Sequence, residues 1–193
     1  MKKNRLYSFL SIAVLLLTSE LANANIVLGF DNPVQTGNSI DINIVISGLG
    51  SGASPSISTY DLDVIFDNSH LSFSTVSFGD AVLGNQLDIL DLGLNEAGAS
   101  ATSAGIVNIY EISLDDANEL NGQQADSFAL ATLTFDILTV DSSQLSFSVN
   151  DLGDADANFL TADLTDITVA TVPVPTAFWM MASGLAVLVR KKV

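Results

Sequence analysis

Carboxylates are the only chemically active side chains that this sequence offers in quantity. NDLGDADAN carries Asp151, Asp154, Asp156 and Asn158, and DDANELNG carries Asp115, Asp116 and Glu119. Oxygen ligands at alternating positions suit Ca2+. The EF-hand template is not met, however. With Asp154 in first place, the sixth position is Phe159 rather than Gly and the twelfth is Thr165 rather than Glu. The cluster reads as an acidic loop, with a weak Ca2+ site at Asp151, Asp154, Asp156 and Asn158 as the alternative and no other cofactor implied. The single histidine, His70, lies in DNSH, a turn sequence, and reads as a turn residue rather than a general base. Cysteine is absent, which removes thiolate catalysis, Cys-ligated metal and disulfides. Paired-carboxylate glycoside chemistry needs two acids at a set separation, and no spacing here selects a pair. The chain reads as non-catalytic.

The distribution of charge sharpens that reading. All six Lys and Arg lie at the ends, as Lys2, Lys3, Arg5, Arg190, Lys191 and Lys192, whereas of 22 acidic residues only Glu20 falls outside Asn25–Thr171. The middle of the chain cannot make one Lys or Arg salt bridge, stabilise an oxyanion with a cationic side chain, or hold a phosphate. Nucleic acid would be repelled, so it is excluded as a partner. MKKNR followed by the apolar run LYSFLSIAVLLL and Ala22-Asn23-Ala24 has the layout of a cleaved secretory signal, residues 1–24. At the other end, Val172–Val189 would span roughly 27 Å as a helix at about 1.5 Å per residue, just under the hydrocarbon thickness of a bilayer. Arg190, Lys191 and Lys192 then form a basic membrane stop on the cytoplasmic side.

Elements that could position any site are strands. SIDINIVIS (39–47) sets four isoleucines against Asp41 and Asn43, and YDLDVIF (60–66) sets Tyr60, Leu62, Val64 and Phe66 against Asp61 and Asp63. Period two places each set on one side of a half-buried strand. Further strands are expected at 71–78, 127–138, 145–149 and 166–171. GIVNIYEISL (105–114) is apolar, but its phase cannot be assigned. GLGSGASPS (48–56) and NEAGASATSAG (95–105) read as loops, and DDANELNG as one short helical turn. Many short strands and no long helical pattern predict an all-β sandwich over residues 25–170.

The order TGNSIDINIVISG, STYDLDVIFDNSHLSF, GIVNIYEISL, SFALATLTFDIL resembles a cohesin-type module, with the Thr36-Gly37-Asn38 turn, the Phe66-Asp67 pair, Leu71 and the block 131–135 at the family's positions. The resemblance implies a cohesin-like jelly-roll β-sandwich of about nine strands and a role in binding. In dockerin-binding members, an outward Asp on the strand ending in aromatic-Asp contacts the partner. The matching position is Asp61, with Thr59 and Asp63 on its face. The plainer reading of these three is a solvated polar face, which any half-exposed strand has.

The tail VPVPTAFWMMASGLAVLVRKKV is similar to PEP-CTERM sorting segments, with Val172, Pro173, Val174 and Pro175 as the motif and Val174 where Glu is usual. This implies an exosortase-type sorting protease as a partner, transient anchoring in the inner membrane by a C-terminal transmembrane helix (segment 171–193), and release to the cell surface or extracellular matrix. There the chain is expected to bind a surface protein. The alternative is a carbohydrate-binding module linked to exopolysaccharide or polysaccharide metabolism. The one Trp, Trp179, lies in the tail, and Tyr60 faces inward by phase, so no aromatic platform for stacking sugars is expected.

Overall fold

The computed structural model describes residues 25–172; the expected signal segment 1–24 and the tail 173–193 lie outside the described residues. Ten strands and one short helix follow in order: β1 Val27–Thr36, β2 Ser39–Ser47, β3 Thr59–Phe66, β4 Leu71–Phe78, β5 Asn95–Ser103, β6 Ile106–Ser113, α1 Ala117–Gln123, β7 Ser127–Ile137, β8 Ser142–Gly153, β9 Asp163–Thr165 and β10 Ile167–Ala170. They form two five-stranded sheets, β4-β7-β2-β1-β9 and β10-β8-β3-β6-β5. Every pairing is antiparallel except β1 with β9. Among the described residues no helix is long and apolar enough to cross a membrane.

Period two does the work that the sequence assigns to it. Ile40, Ile42, Ile44 and Ile46 are all at most 2% exposed. Each contributes about 1.5–3 kcal/mol by leaving water. Tyr60, Leu62 and Val64 meet them from the facing sheet as part of one core. Aromatic contacts tie the layers together. Phe30 of β1 stacks on Phe147 of β8 with ring centroids 3.9 Å apart, and Phe66 of β3 meets Phe135 of β7 edge-on at 4.9 Å.

Two expectations are corrected. Residues 95–103 are not a loop but the edge strand β5, which pairs with β6 through its backbone. Its residues are exposed or half-buried throughout, so nothing demands an apolar alternation, and small residues suffice. Gly98 has a specific reason: a Cβ there would meet the Tyr110 ring at 2.8 Å. The described residues form ten strands where the resemblance implied about nine, and of these β5 and the three-residue, fully exposed β9 leave no hydrophobic trace in the sequence. The short helical turn is present as α1, with Asp116 as its N-cap accepting from the Asn118 amide at 2.8 Å.

Long connections are built on carboxylates and amides. Asp80 accepts from the backbone N–H of Val82 at 2.8 Å, Leu83 at 3.0 Å and Ala129 at 2.9 Å. These bonds, the one from Ala129 foremost, hold its carboxyl below the usual carboxylate range despite an opposing contribution from burial. Asp88 takes the N–H groups of Leu92 at 3.0 Å and Gly93 at 2.8 Å. The buried Gln124 side chain acts like a piece of strand: its oxygen accepts from Ile57 N–H at 2.7 Å and its amide donates to Ile57 O at 2.8 Å.

Glu111 is the unexpected core residue, 0% exposed on the inner face of β6. It accepts from Tyr60 Oη at 3.0 Å, Asn85 Nδ2 at 2.6 Å and Asn95 Nδ2 at 2.7 Å. Burial, then the Glu111 charge and the hydrogen bond, push the Tyr60 phenol well above its ordinary range, so it remains a donor. Glu111→Ala would strand three donors, the buried Tyr60 hydroxyl and the half-buried Asn85 and Asn95 amides. We expect a loss of about 2–4 kcal/mol in urea unfolding, and a smaller loss for Glu111→Gln, whose oxygen still accepts from Asn85 and Asn95 while its NH2 turns to the Tyr60 oxygen. Equal stability of Glu111→Ala and the parent would refute this account.

Candidate functional site

The sheet β10-β8-β3-β6-β5 carries its polar residues in rows across its outer face. Register places Asp151, Asp61, Tyr110 and Gly98 in one row and Ser148, Asp63, Asn108 and Ser100 in the next. Thr59, Asp61 and Asp63 all sit half-buried on this face, with Tyr60, Leu62 and Val64 turned into the core. The expected shared face is therefore present.

What holds it together came from residues that the sequence reading did not single out. Asn108 Nδ2 donates to Asp61 Oδ1 at 2.6 Å and to Asp63 Oδ1 at 3.0 Å. The register slips between Asp61 and Leu62, so that Asn150 has no partner on β3. A bulge re-aims a side chain, and here Asn150 Nδ2 reaches Asp61 at 3.1 Å. Tyr110 sits beside Asp61, its ring lying against Gly98. A signal for Asn108 and Tyr110 did exist. Continuing period two outward from 108 gives 110 and 112, and it was obscured because the inward position 111 is a glutamate.

The acidic loop takes a form different from a cage. Asp154 is 6% exposed and turns onto its own loop. It accepts from the backbone N–H groups of Asp156 at 3.0 Å and Asn158 at 2.7 Å, and from Asn158 Nδ2 at 3.0 Å. Asp156 reaches Ser54 Oγ at 3.2 Å and Asn121 Nδ2 at 3.3 Å, and Asp151 lies on the sheet face. Among the described residues no three His, Cys, Asp or Glu side chains gather where a metal ion could sit.

This loop forms one wall of a groove of about 430 Å3 at the Thr59 end of the face. Thr59, Ile112, Asp151, Gly153 and Phe159 line it. His70 is in a turn, as expected, with Nδ1 3.2 Å from Asp67 Oδ2 and Nε2 3.8 Å from Asp141 Oδ2. Of the expected sorting motif, only Val172 is within the described residues. Its N–H donates to Gln35 Oε1 at 3.0 Å and its carbonyl accepts from Gln35 Nε2 at 2.8 Å. Pro173, Val174 and Pro175, with Arg190, Lys191 and Lys192, lie outside them.

Comparison of the whole architecture with solved structures decides the fold. The sixth cohesin of scaffoldin B from Acetivibrio cellulolyticus, solved with a Cel5 dockerin mutant, matches with TM-score 0.58 and 21% identity over 77% of this chain and 99% of that one. The fold is cohesin-like. A cohesin from Clostridium thermocellum in the Coh-OlpA-Doc918 complex matches with TM-score 0.59 and 14% identity over 77% and 99%. The non-cellulosomal cohesin of the archaeon Archaeoglobus fulgidus matches with TM-score 0.54 and 15% identity over 81% and 98%. No family model matches the sequence, and no curated protein does. The cohesin-like fold expected from motif order is thus carried by backbone architecture at identities where side chains have largely diverged.

Asn108 keeps two neighbouring like charges on one strand face. Asn108→Ala removes the shared donor from both Asp61 and Asp63. The expected loss is about 1–2 kcal/mol, shrinking as salt is raised because the exposed pair is then screened. Thermal melts of the variant and the parent across a sodium chloride series would show this. A salt-independent difference would mean that only packing was lost.

Proposed function

We propose that this chain is a non-catalytic, exported protein-binding module that uses the outer face of β8-β3-β6 to hold a partner, with Thr59, Asp61 and Asp63 as its contact residues. The observation that carries this reading is the Asp61 arrangement on a cohesin-like sheet. Its carboxylate is fixed by Asn108 and Asn150 yet remains on the surface. Two of the structures similar to this one were solved as cohesin–dockerin complexes, which supports a partner protein carrying a dockerin-like domain. A face whose rows carry three acids and Tyr110 as their one aromatic residue, with Phe159 standing apart at its Thr59 end, suits a protein partner better than a sugar, which favours a continuous aromatic strip.

The tail completes the proposal. Val172 to Pro175 serve as a PEP-CTERM-type sorting motif for an exosortase-type protease, and Arg190, Lys191 and Lys192 stop the helix in the inner membrane until cleavage frees the domain to the surface or matrix. Val172 leaves the sandwich beside Ala170 and Ser142, the end of the sheet opposite to Thr59. An anchored domain therefore keeps the Thr59 end of the face away from its point of attachment.

Two experiments on surface material test the two halves. The full chain, immobilised, is expected to capture a defined protein from the producing cell's surface extract, and Asp61→Lys to lose it by at least about tenfold, as charge reversal inside an interface does. Capture of polysaccharide alone, or of protein indifferent to Asp61→Lys, would replace the reading. Mass spectrometry of the naturally released protein should place its C-terminus within residues 172–176; an intact Lys191-Lys192 end would overturn the sorting assignment.

A further inference from the structure

We infer that the groove between Phe159 and Ile112 seats one cationic side chain, Lys or Arg, of a separate protein partner. This deepens the proposed binding role and rests on that reading for the partner's position on the face.

The groove is built rather than incidental. Phe159 pairs through its backbone with Gly153. In the loop before it the Asp154 carboxylate pins the N–H groups of Asp156 and Asn158, with Ala157 between them in the left-handed region at φ 63°. The Phe159 ring, thus placed, is 88% exposed, whereas its neighbour Leu160 packs on the core. Nothing in the folding of the sandwich calls for that ring to stand in water. Across the groove Ile112 is 44% exposed. The floor is Gly153, where a Cβ would come within 2.8 Å of Thr59 Cγ2, so any other residue would fill the space. Asp151 stands in the wall. Asp61 in the same row is held by two asparagine amides, whereas no donor among the described residues engages the Asp151 carboxylate.

Charge and shape select the occupant. An apolar side chain alone would bury Asp151 against carbon and leave it unpaired, which is strongly unfavourable. An anion would be repelled by Asp151. A Lys or Arg side chain satisfies every surface: its methylene stem lies along Ile112, its head meets Asp151, and the Phe159 ring face adds a cation–π contact. A second copy of the described domain cannot supply it, because residues 25–172 contain no Lys or Arg. Preformed walls lower the ordering cost of binding.

The test is an NMR titration of the full chain with N-acetyl-arginine amide, N-acetyl-lysine amide and the neutral N-acetyl-citrulline amide. The two cations are expected to give saturable shifts at Ile112, Gly153 and Phe159, and citrulline none. Asp151→Asn and Phe159→Ala should each weaken binding by about tenfold with the melting temperature unchanged. An equal response to citrulline, or full binding by Asp151→Asn, overturns the inference. So does a change in the same signals, before any ligand is added, when Lys2, Lys3, Arg5, Arg190, Lys191 and Lys192 are neutralised, since the chain's own ends would then be the occupant. Failure here is separable from failure of the binding role. Capture of a surface protein that needs Asp61 but ignores Asp151→Asn and Phe159→Ala would leave the face in place and remove the groove.

Discussion

The constraint on which this structure depends is the complete lack of Lys and Arg in the folded domain. From Asn25 to Val172 the chain has acids but no Lys or Arg. A carboxylate placed near the protein interior must be paired or hydrogen-bonded, and here pairing with Lys or Arg within the domain is closed off. The remaining donors are backbone N–H groups, hydroxyls, the amides of Asn and Gln, and the single imidazole of His70 beside Asp67 and Asp141. Asp80 and Asp88, in the β4–β5 connection, and Asp154, in the β8–β9 connection, take backbone N–H groups and thereby fix two long connections. Glu111, Asp61 and Asp63 take asparagine amides. Acids that would elsewhere form surface ion pairs become the fasteners of loops.

This arrangement has a physical advantage. Exposed salt bridges contribute little and weaken further with salt, whereas an acid held by two or three amide donors is positioned by geometry. Asp80 shows the effect, since the N–H groups around it hold its carboxyl below the ordinary range. The same logic explains the face of β3. Asp61 and Asp63 point to one side two residues apart, where like charges repel, and Asn108 on β6 divides its amide between them. Because asparagine is neutral, the face keeps its full negative potential while its side chains are held in place, a combination that a lysine in the same position would abolish.

How much of this could be read from sequence follows from which forces leave a pattern. Burial leaves period two, so the isoleucines of β2 and the alternation of β3 located those strands, their inward and outward sides, and the placement of Thr59, Asp61 and Asp63. Backbone pairing without burial leaves nothing, so β5, with its Gly, Ala and Ser, reads as a loop although it runs nine residues along β6. A buried acid reverses the expected pattern, and Glu111 alone was enough to hide the phase of β6 and with it Asn108 and Tyr110. Asn150 was out of reach for another reason, because its orientation comes from a slip in register between β3 and β8. The acidic run 151–158 shows the same limit. Its spacing of oxygens suits a cation, but an Asp can equally fold back on its own amides, and Asp154 does so.

The two ends of the sheet carry different physics, and this bears on how an anionic domain would recognise a partner under the proposed reading. Near Val172 the chain is clamped by Gln35 and by Thr171, whose N–H meets the Asp141 carbonyl at 3.1 Å, so the domain begins immediately at its point of exit, with no slack of its own. At the Thr59 end the loop 154–158 lifts Phe159 clear of the surface beside Asp151. A domain of uniform sign repels its own copies and draws oppositely charged partners over a Debye length of roughly 8 Å at physiological salt. Long-range attraction alone would be indiscriminate, since acids cover the domain. Selectivity needs a place where charge coincides with apolar surface and a fixed shape. On the described surface Asp61, Tyr110, Asp151, Ile112 and Phe159 provide that coincidence along two adjacent rows of one sheet, at its Thr59 end.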